Sequence, residues 1–331
     1  MRVVIDAAIP YIKGILEPYS DVVYLPAGQI TADIVHSADA LIIRTRTKCD
    51  RGLLEGSTVK FIATATIGTD HIDMDYCATH NIEVRSAPGS NARGVLQWVA
   101  AALHHITAVA KRMPQNYTLG VVGVGHVGSL VSEYARSWGF RVMECDPPRQ
   151  AREGGEYYSI EEIAKTCDII TLHTPLDNTT YHIVDDALIS TMLPDAIIIN
   201  ASRGEVVDSR AVADSKHTYI FDVWEGEPNI EPRVLQGATL ATPHIAGYSI
   251  QGKANATAMA INALARHFHL PLTDWYPEGV QRTIPRTITW ERLCNTILQY
   301  CDIEKESLLL KDSPQDFELM RNSYNYREEY F

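Results

Sequence analysis

The chain has 331 residues, 46% apolar and 21% charged, with a formal charge of -12. That length exceeds one ordinary core and asks for two or three domains, and the composition is that of a globular enzyme. The acidic balance excludes wrapping of a nucleic acid or adhesion to anionic lipid, and no apolar run approaches the ~18 residues of a membrane span.

The first six residues, Met1 to Asp6, place a carboxylate inside the apolar stretch, which predicts a first strand rather than a signal peptide. The cysteines Cys49, Cys77, Cys145, Cys167, Cys294 and Cys301 form no Cys-x-x-Cys pair. Reduced, buried thiols are expected, with a cytoplasmic setting and no metal site. Short apolar runs at Val3-Val4-Ile5, Ala40 to Ile43 and Phe61 to Ala63 suit a parallel sheet covered on both faces. Arg44, Arg46 and Lys48 follow the second run and would supply the local positive charge that an anionic ligand needs in so acidic a protein. A solvated sheet edge without a ligand is the alternative reading of that cluster.

An alanine-rich stretch from Trp98 to Ala110 predicts a long helix ending near Pro114. Six strands are then expected at Leu119 to Val122, Arg141 to Cys145, Asp168 to Leu172, Ala196 to Asn200, Tyr219 to Asp222 and Thr239 to Ala241. Helical patterns lie between most of them, one opening at Ser159 with Glu162 three residues on, a capping box. Alternation of this kind implies a doubly wound α/β domain. From about Pro271 the chain turns polar and runs to Tyr324, Tyr326, Tyr330 and Phe331, aromatics dense enough to expect packing against something.

The strongest local signal is Gly123-Val124-Gly125-His126-Val127-Gly128, with a strand before it and a helical face of Val127, Leu130, Val131, Tyr134, Ala135 and Trp138 behind it. Gly123 allows a tight turn, Gly125 lets backbone approach a pyrophosphate, and Gly128 brings helix and strand close. The helix N-terminus, with His126 and Val127, then points its N–H groups at phosphates. Asp146 ends the next strand, where a carboxylate accepts from ribose hydroxyls and repels a 2′-phosphate, so NAD is expected over NADP. Arg149 is the one ambiguous neighbour, and a purely structural glycine turn with a solvated Asp146 is the bland alternative.

Three further segments put polar residues at the ends of apolar strands: Asn200 to Gly204, Asp222 to Pro228, and Thr242 to Gly247. Open α/β sheets bind ligands there. Transfer of a hydride from a 2-hydroxy acid to a nicotinamide needs a guanidinium for the carboxylate, a base near neutrality for the hydroxyl proton, and a carboxylate to orient that base. Arg203, His244 and Glu227 supply those groups without a metal. Singly, each reads equally well as a surface arginine, a core histidine and a turn residue.

With these segments in hand the chain resembles the D-isomer-specific 2-hydroxyacid dehydrogenases. The match rests on Gly123 to Gly128, His173-Thr174-Pro175-Leu176, Asn200 to Gly204, Asp222 to Pro228, and Pro243 to Gly247. The resemblance implies two doubly wound parallel-sheet domains. Residues 1–95 and 252–270 would form the substrate domain and 96–251 the NAD-binding Rossmann domain, with 271–331 as a C-terminal extension that dimerises. It implies Arg203, Glu227 and His244 as catalytic, and Thr174, Ala201, Ser202, Arg203, Asp222 and Gly247 as cofactor contacts. Subgroup marks lie in Arg44 to Lys48, Thr64 to His71, Cys145 to Arg149 and Tyr248. They point to a small phosphorylated 2-hydroxy acid as substrate, with Thr45, Thr66 and Tyr248, beside Arg44 and Arg46, in contact with it. Gln97 departs from the glutamate usual in the family, the stretch from Asp208 to Tyr219 is short enough to clip its helix, and the tail stops early for the subgroup's dimerisation domain. The rival readings are a phosphoglycerate- or glycerate-type enzyme of the same family, and an NAD-sensing corepressor-like protein.

Overall fold

Short runs rich in valine and isoleucine become strands, and every named strand pairs in parallel. The computed structural model describes residues 1–331, which divide into two units: Met1–Asn91 with Ile250–Arg282, and Ala92–Ser249 with Thr283–Phe331.

The first unit holds β1 (Arg2–Asp6), β2 (Asp21–Leu25), β3 (Ala40–Ile43), β4 (Phe61–Thr64) and β5 (Glu83–Arg85), in the order β2-β1-β3-β4-β5. Successive side chains alternate between faces. Val3, Ile5, Ala40, Ile42, Phe61 and Ala63 therefore pack with Ala260, Ile261 and Leu264 of the helix Ile250–His267, while Val4, Leu41, Ile43 and Ile62 pack with Val35, Leu54 and Cys77. Both faces are covered, which is why β3 and β4 read as unbroken apolar runs. The sequence pattern did not single out β2 and β5. They are the edges, half-buried and carrying Asp21, Glu83 and Arg85.

The second unit holds β6 (Thr118–Val122), β7 (Arg141–Cys145), β8 (Ile169–Leu172), β9 (Ile197–Asn200), β10 (Thr218–Phe221) and β11 (Leu240–Ala241), ordered β11-β10-β9-β8-β6-β7. The chain leaves β6 to one side for β7 and returns to the other side for β8, so winding reverses at the carboxyl end of β6. Ligands bind at such a switch point. One face packs on the helices Ala92–Ala110 and His126–Trp138, the other on Ile160–Thr166, whose start carries the Ser159–Glu162 capping box. The long helix begins at Ala92 rather than Trp98, and Gly94 within it packs closely, since a Cβ there would lie 3.1 Å from Ser249 Oγ and push it aside. The shortened stretch after Asp208 makes a helix of only six residues, Ser209–Asp214.

The polar tail forms three helices, Trp290–Tyr300, Ile303–Asp312 and Phe317–Ser323. Leu293, Ile297, Ile303 and Phe331 are buried with the helix Ala92–Ala110, and Leu310 and Phe317 on the opposite face of the sheet. Phe331 lies 5.6 Å from Tyr134 and 6.1 Å from Trp138, ring to ring, so the closing aromatics pack inside their own unit. All six cysteines are free, five of them buried. No helix is long and apolar enough to cross a membrane.

Candidate active site

The glycine loop leaves β6 at the switch point. Gly123 has φ +84°, and a Cβ there would sit 2.8 Å from the His173 carbonyl and the Thr174 amide. At Gly128 a Cβ would fall 1.9 Å from the Gly123 oxygen, so helix and strand touch through backbone. Gly125 caps the helix His126–Trp138, and a Cβ there would meet no protein atom within 4 Å. That open side, at a helix N-terminus with its unpaired N–H groups, is where a pyrophosphate fits. The Thr174 hydroxyl beside it is buried and has no protein partner, a polar atom that a ligand would satisfy. Asp146 accepts from the amides of Val124 (2.8 Å) and Arg149 (2.9 Å), which fixes the carboxylate at the tip of β7. Arg149 turns inward to the Val124 carbonyl (2.6 Å) and the Ser129 hydroxyl (2.9 Å). His173, behind the loop, is pushed down to about 3 by burial and stays neutral.

Arg203, Glu227 and His244 follow β9, β10 and β11, three neighbouring parallel strands, so their loops leave the sheet at one edge. Asn200 shapes the first loop. Its side-chain oxygen accepts from the Ser202 amide (3.0 Å) and hydroxyl (2.8 Å), while its amide donates to the Arg203 carbonyl (2.8 Å). Gly204 is obligatory, since a Cβ would lie 2.0 Å from the Trp224 backbone. His244 Nδ1 and Glu227 Oε1 are 2.5 Å apart, and the other Glu227 oxygen accepts from the Trp224 amide at 3.2 Å. Burial would raise the Glu227 carboxyl, but the hydrogen bond and charge of His244, and the charge of Arg321, hold it below its ordinary value. His244 takes φ +56°, a left-handed conformation that persists only where the surroundings dictate it. Its amide donates to the Asp222 carbonyl at 2.7 Å.

Asp222 organises the rest of that loop. Its carboxylate accepts from the Thr242 hydroxyl (2.5 Å) and the amides of Ile245 (2.8 Å) and Ala246 (2.9 Å). Burial pushes this carboxyl up, opposed by the His244 charge and those donors. The carbonyls of the same two residues are held from the tail. Buried Arg327 donates to Ile245 O (3.0 Å), Gly94 O (2.8 Å) and Ala246 O. Sequence reasoning missed Arg327 and Arg321, because a lone arginine in a polar segment looks like a solvated charge.

The remaining candidates divide between the units. Tyr248, in the second, accepts a hydrogen bond from Arg321 Nε (3.1 Å). Thr45, Thr66, Arg44 and Arg46 belong to the first. Thr66 Oγ1 lies 2.5 Å from Thr64 Oγ1, which in turn lies 3.2 Å from His71 Nε2. β3 has ended at Ile43, so residues 44–47 form a turn, with the Thr47 amide bonded to the Arg44 carbonyl, and strand alternation does not govern them. Arg44 Nε is bound to the buried carboxylate of Asp6 (3.0 Å), whereas Arg46 is exposed.

Comparison with known proteins adds the following. Residues 93–246 match the family model described as D-isomer specific 2-hydroxyacid dehydrogenase, NAD binding domain. An erythronate-4-phosphate dehydrogenase of Bacteroides thetaiotaomicron is 42% identical over 99% of this chain and 97% of that protein. One from Ectopseudomonas mendocina is 43% identical over 82% of this chain and 73% of that protein. Among solved structures, the NAD+-bound 3-phosphoglycerate dehydrogenase of Entamoeba histolytica superposes with a TM-score of 0.70 at 26% identity, covering 86% of this chain and 99% of that one.

Proposed function

The chain belongs to the D-isomer specific 2-hydroxyacid dehydrogenases and is an NAD-dependent enzyme, and on that premise we propose that it oxidises 4-phospho-D-erythronate to 2-oxo-3-hydroxy-4-phosphobutanoate, a step of vitamin B6 biosynthesis. The chemistry rests on one observation above all, the 2.5 Å contact between His244 Nδ1 and Glu227. With Nδ1 tied to the carboxylate, Nε2 is the ring atom left to take the proton of the substrate's 2-hydroxyl. Arg203 binds the substrate carboxylate through its guanidinium fork and fixes C2 in place. Gly123 to Gly128, Asp146 and Thr174 would hold NAD, which would supply the acceptor for the hydride of C2. Proton and hydride depart from the same alcohol, a C=O bond forms, and Glu227 stabilises the resulting imidazolium. His126, Val127, Ala201, Ser202, Asp222 and Gly247 complete the cofactor contacts.

The relatives' name supports the substrate, and so does the positive charge of the basic turn in the first unit, where Arg44 and Arg46, with Thr45 and Thr66, are the candidate contacts. Residues 1–95 with 252–270 serve the substrate and 96–251 the cofactor. The enzyme works in the cytoplasm as a homodimer. Leu308, Leu309 and Leu319, exposed at 66%, 45% and 63% on the tail helices, support pairing through residues 271–331. A panel of 4-phosphoerythronate, erythronate, 3-phosphoglycerate, glycerate and D-lactate, followed by nicotinamide absorbance with NAD, tests the substrate. Highest kcat/KM on 4-phosphoerythronate is expected, and preference for any other acid overturns that assignment.

A further inference from the structure

Residues 324–329 reach back to the loop that carries His244 and hold it through one buried side chain. Arg327 is 7% exposed, and an isolated parallel bridge joins its backbone to Ser249, just beyond that loop. Glu329 secures the same crossing, accepting from the Ser249 hydroxyl at 2.6 Å and from the Thr283 hydroxyl. The Arg327 guanidinium then spans three carbonyls. Nη1 donates to Ile245 O (3.0 Å) and to the Tyr324 hydroxyl (3.3 Å), and Nη2 to Gly94 O (2.8 Å) and Ala246 O. One group thereby ties the loop to the helix Ala92–Ala110. Burial opposes its charge, and Asp222 is among the groups that favour it.

These bonds fall beside a strained residue. His244 sits at φ +56°, a conformation that a residue with a Cβ keeps only while its surroundings fix it. Its own amide is bound to Asp222 O at 2.7 Å and to Thr242 O at 3.0 Å. The peptide between Ile245 and Ala246 is held at both ends, its N–H by the Asp222 carboxylate at 2.9 Å, its C=O by Arg327 and by the Tyr248 amide. Peptide units are rigid planes, so slack in one is taken up at the neighbouring torsions, and the strained ones relax first. Asp222 offers only acceptors and can fix only the N–H side. The carbonyl side needs a donor.

We propose that Arg327 is a positioning residue of the active site: by holding the carbonyls of Ile245 and Ala246 it keeps the His244 backbone left-handed and its ring aimed at Glu227. The fork matters as much as the charge. Two separate nitrogens reach Ile245 O on one side and Gly94 O with Ala246 O on the other, whereas a lysine ammonium is a single point. This inference rests on His244 being the base.

The test is a double-mutant cycle in the full-length enzyme with Arg327→Lys, Arg327→Met, His244→Ala, and each Arg327 change combined with His244→Ala. Turnover of the best acid of the panel, NAD affinity by fluorescence and thermal unfolding are measured for every protein, the slow variants at high enzyme concentration. Arg327→Lys should lower kcat by roughly 10- to 100-fold, the scale of a misplaced catalytic group, with KM and NAD affinity at their wild-type values. Arg327→Met should lose at least as much. In the His244→Ala background neither change should lower kcat further, because the group that Arg327 positions has gone. Three results overturn the proposal: a loss that persists in full in that background, wild-type turnover in Arg327→Lys, or a fall in kcat that only follows a fall in unfolding temperature. Near-wild-type turnover of His244→Ala alone is a separate outcome, in which the reading of His244 as the base fails and the proposal with it.

Discussion

Glu227 holds the proposed base in place. Its carboxyl would be raised by burial, yet the bond to His244 and the nearby positive charges hold it below its ordinary value, so it is ionised throughout the neutral range. The 2.5 Å contact keeps the ring in one orientation and places a negative charge beside it. Glu227→Gln keeps the size of the side chain but removes that charge, so kcat for oxidation should fall roughly tenfold or more while NAD affinity stays unchanged. A kcat at the wild-type value would show that Glu227 does not support the base. Asp146 carries the proposed cofactor choice. Its carboxylate is fixed by two amides at the tip of β7, and a carboxylate there would accept from the ribose hydroxyls of NAD and repel the 2′-phosphate of NADP. Asp146→Ser should narrow the preference for NAD over NADP, and the ratio of kcat/KM values for the two cofactors measures it. An unchanged ratio would mean that discrimination lies elsewhere.

At the scale of elements, the helix Ala92–Ala110 contains one anomaly. Gln97 is fully buried, and neither atom of its side-chain amide has a partner. Nothing in the structure explains a glutamine there. Burying an amide without hydrogen bonds costs free energy, so Gln97→Met, similar in size and apolar, should raise unfolding stability by about 1 kcal/mol. Chemical denaturation reads this directly, and a loss of stability would show that the amide is satisfied. Elements with both faces covered were the legible ones: β3, β4, β6, β8, β9 and β10 announce themselves as apolar runs, and Ser159 with Glu162 marks a helix start. The edge strands β2 and β5 were not, because solvent on one side admits Asp21, Glu83 and Arg85 and blurs the pattern. The tail helices escaped for another reason. Leu293, Ile297, Leu310 and Phe317 are spaced among charged residues, and the surfaces that bury them belong to segments far away in sequence. The site divides in the same way. Arg203, Glu227 and His244 each lie in the loop that follows a buried strand and could be found, whereas Arg321 and Arg327 acquire meaning only from the loop they touch.

For the whole molecule, the governing fact is a charge of -12 on a protein proposed to bind a multiply anionic acid. Long-range repulsion must be overcome by local positive charge, and Arg203 and the Arg44–Lys48 turn are the groups proposed to supply it. The two arginines of that turn are not equivalent. Arg44 neutralises the wholly buried Asp6, so Arg44→Gln should lower stability by about 3 kcal/mol and reduce turnover of phosphorylated and unphosphorylated acids alike. Arg46→Gln should reduce kcat/KM for the phosphorylated acid selectively. Selective loss in the Arg44 variant instead would reassign the phosphate contact.

The central claim, that the His244–Glu227 pair drives NAD-dependent oxidation of a phosphorylated 2-hydroxy acid, is tested most directly by one comparison. Turnover of 4-phosphoerythronate is measured in the wild-type enzyme and in His244→Ala, with NAD binding followed in both by fluorescence. Loss of the base should reduce kcat by roughly 100- to 10,000-fold while NAD binds with unchanged affinity, because the Gly123–Gly128 loop is untouched. A variant that retains near-wild-type turnover would contradict the account.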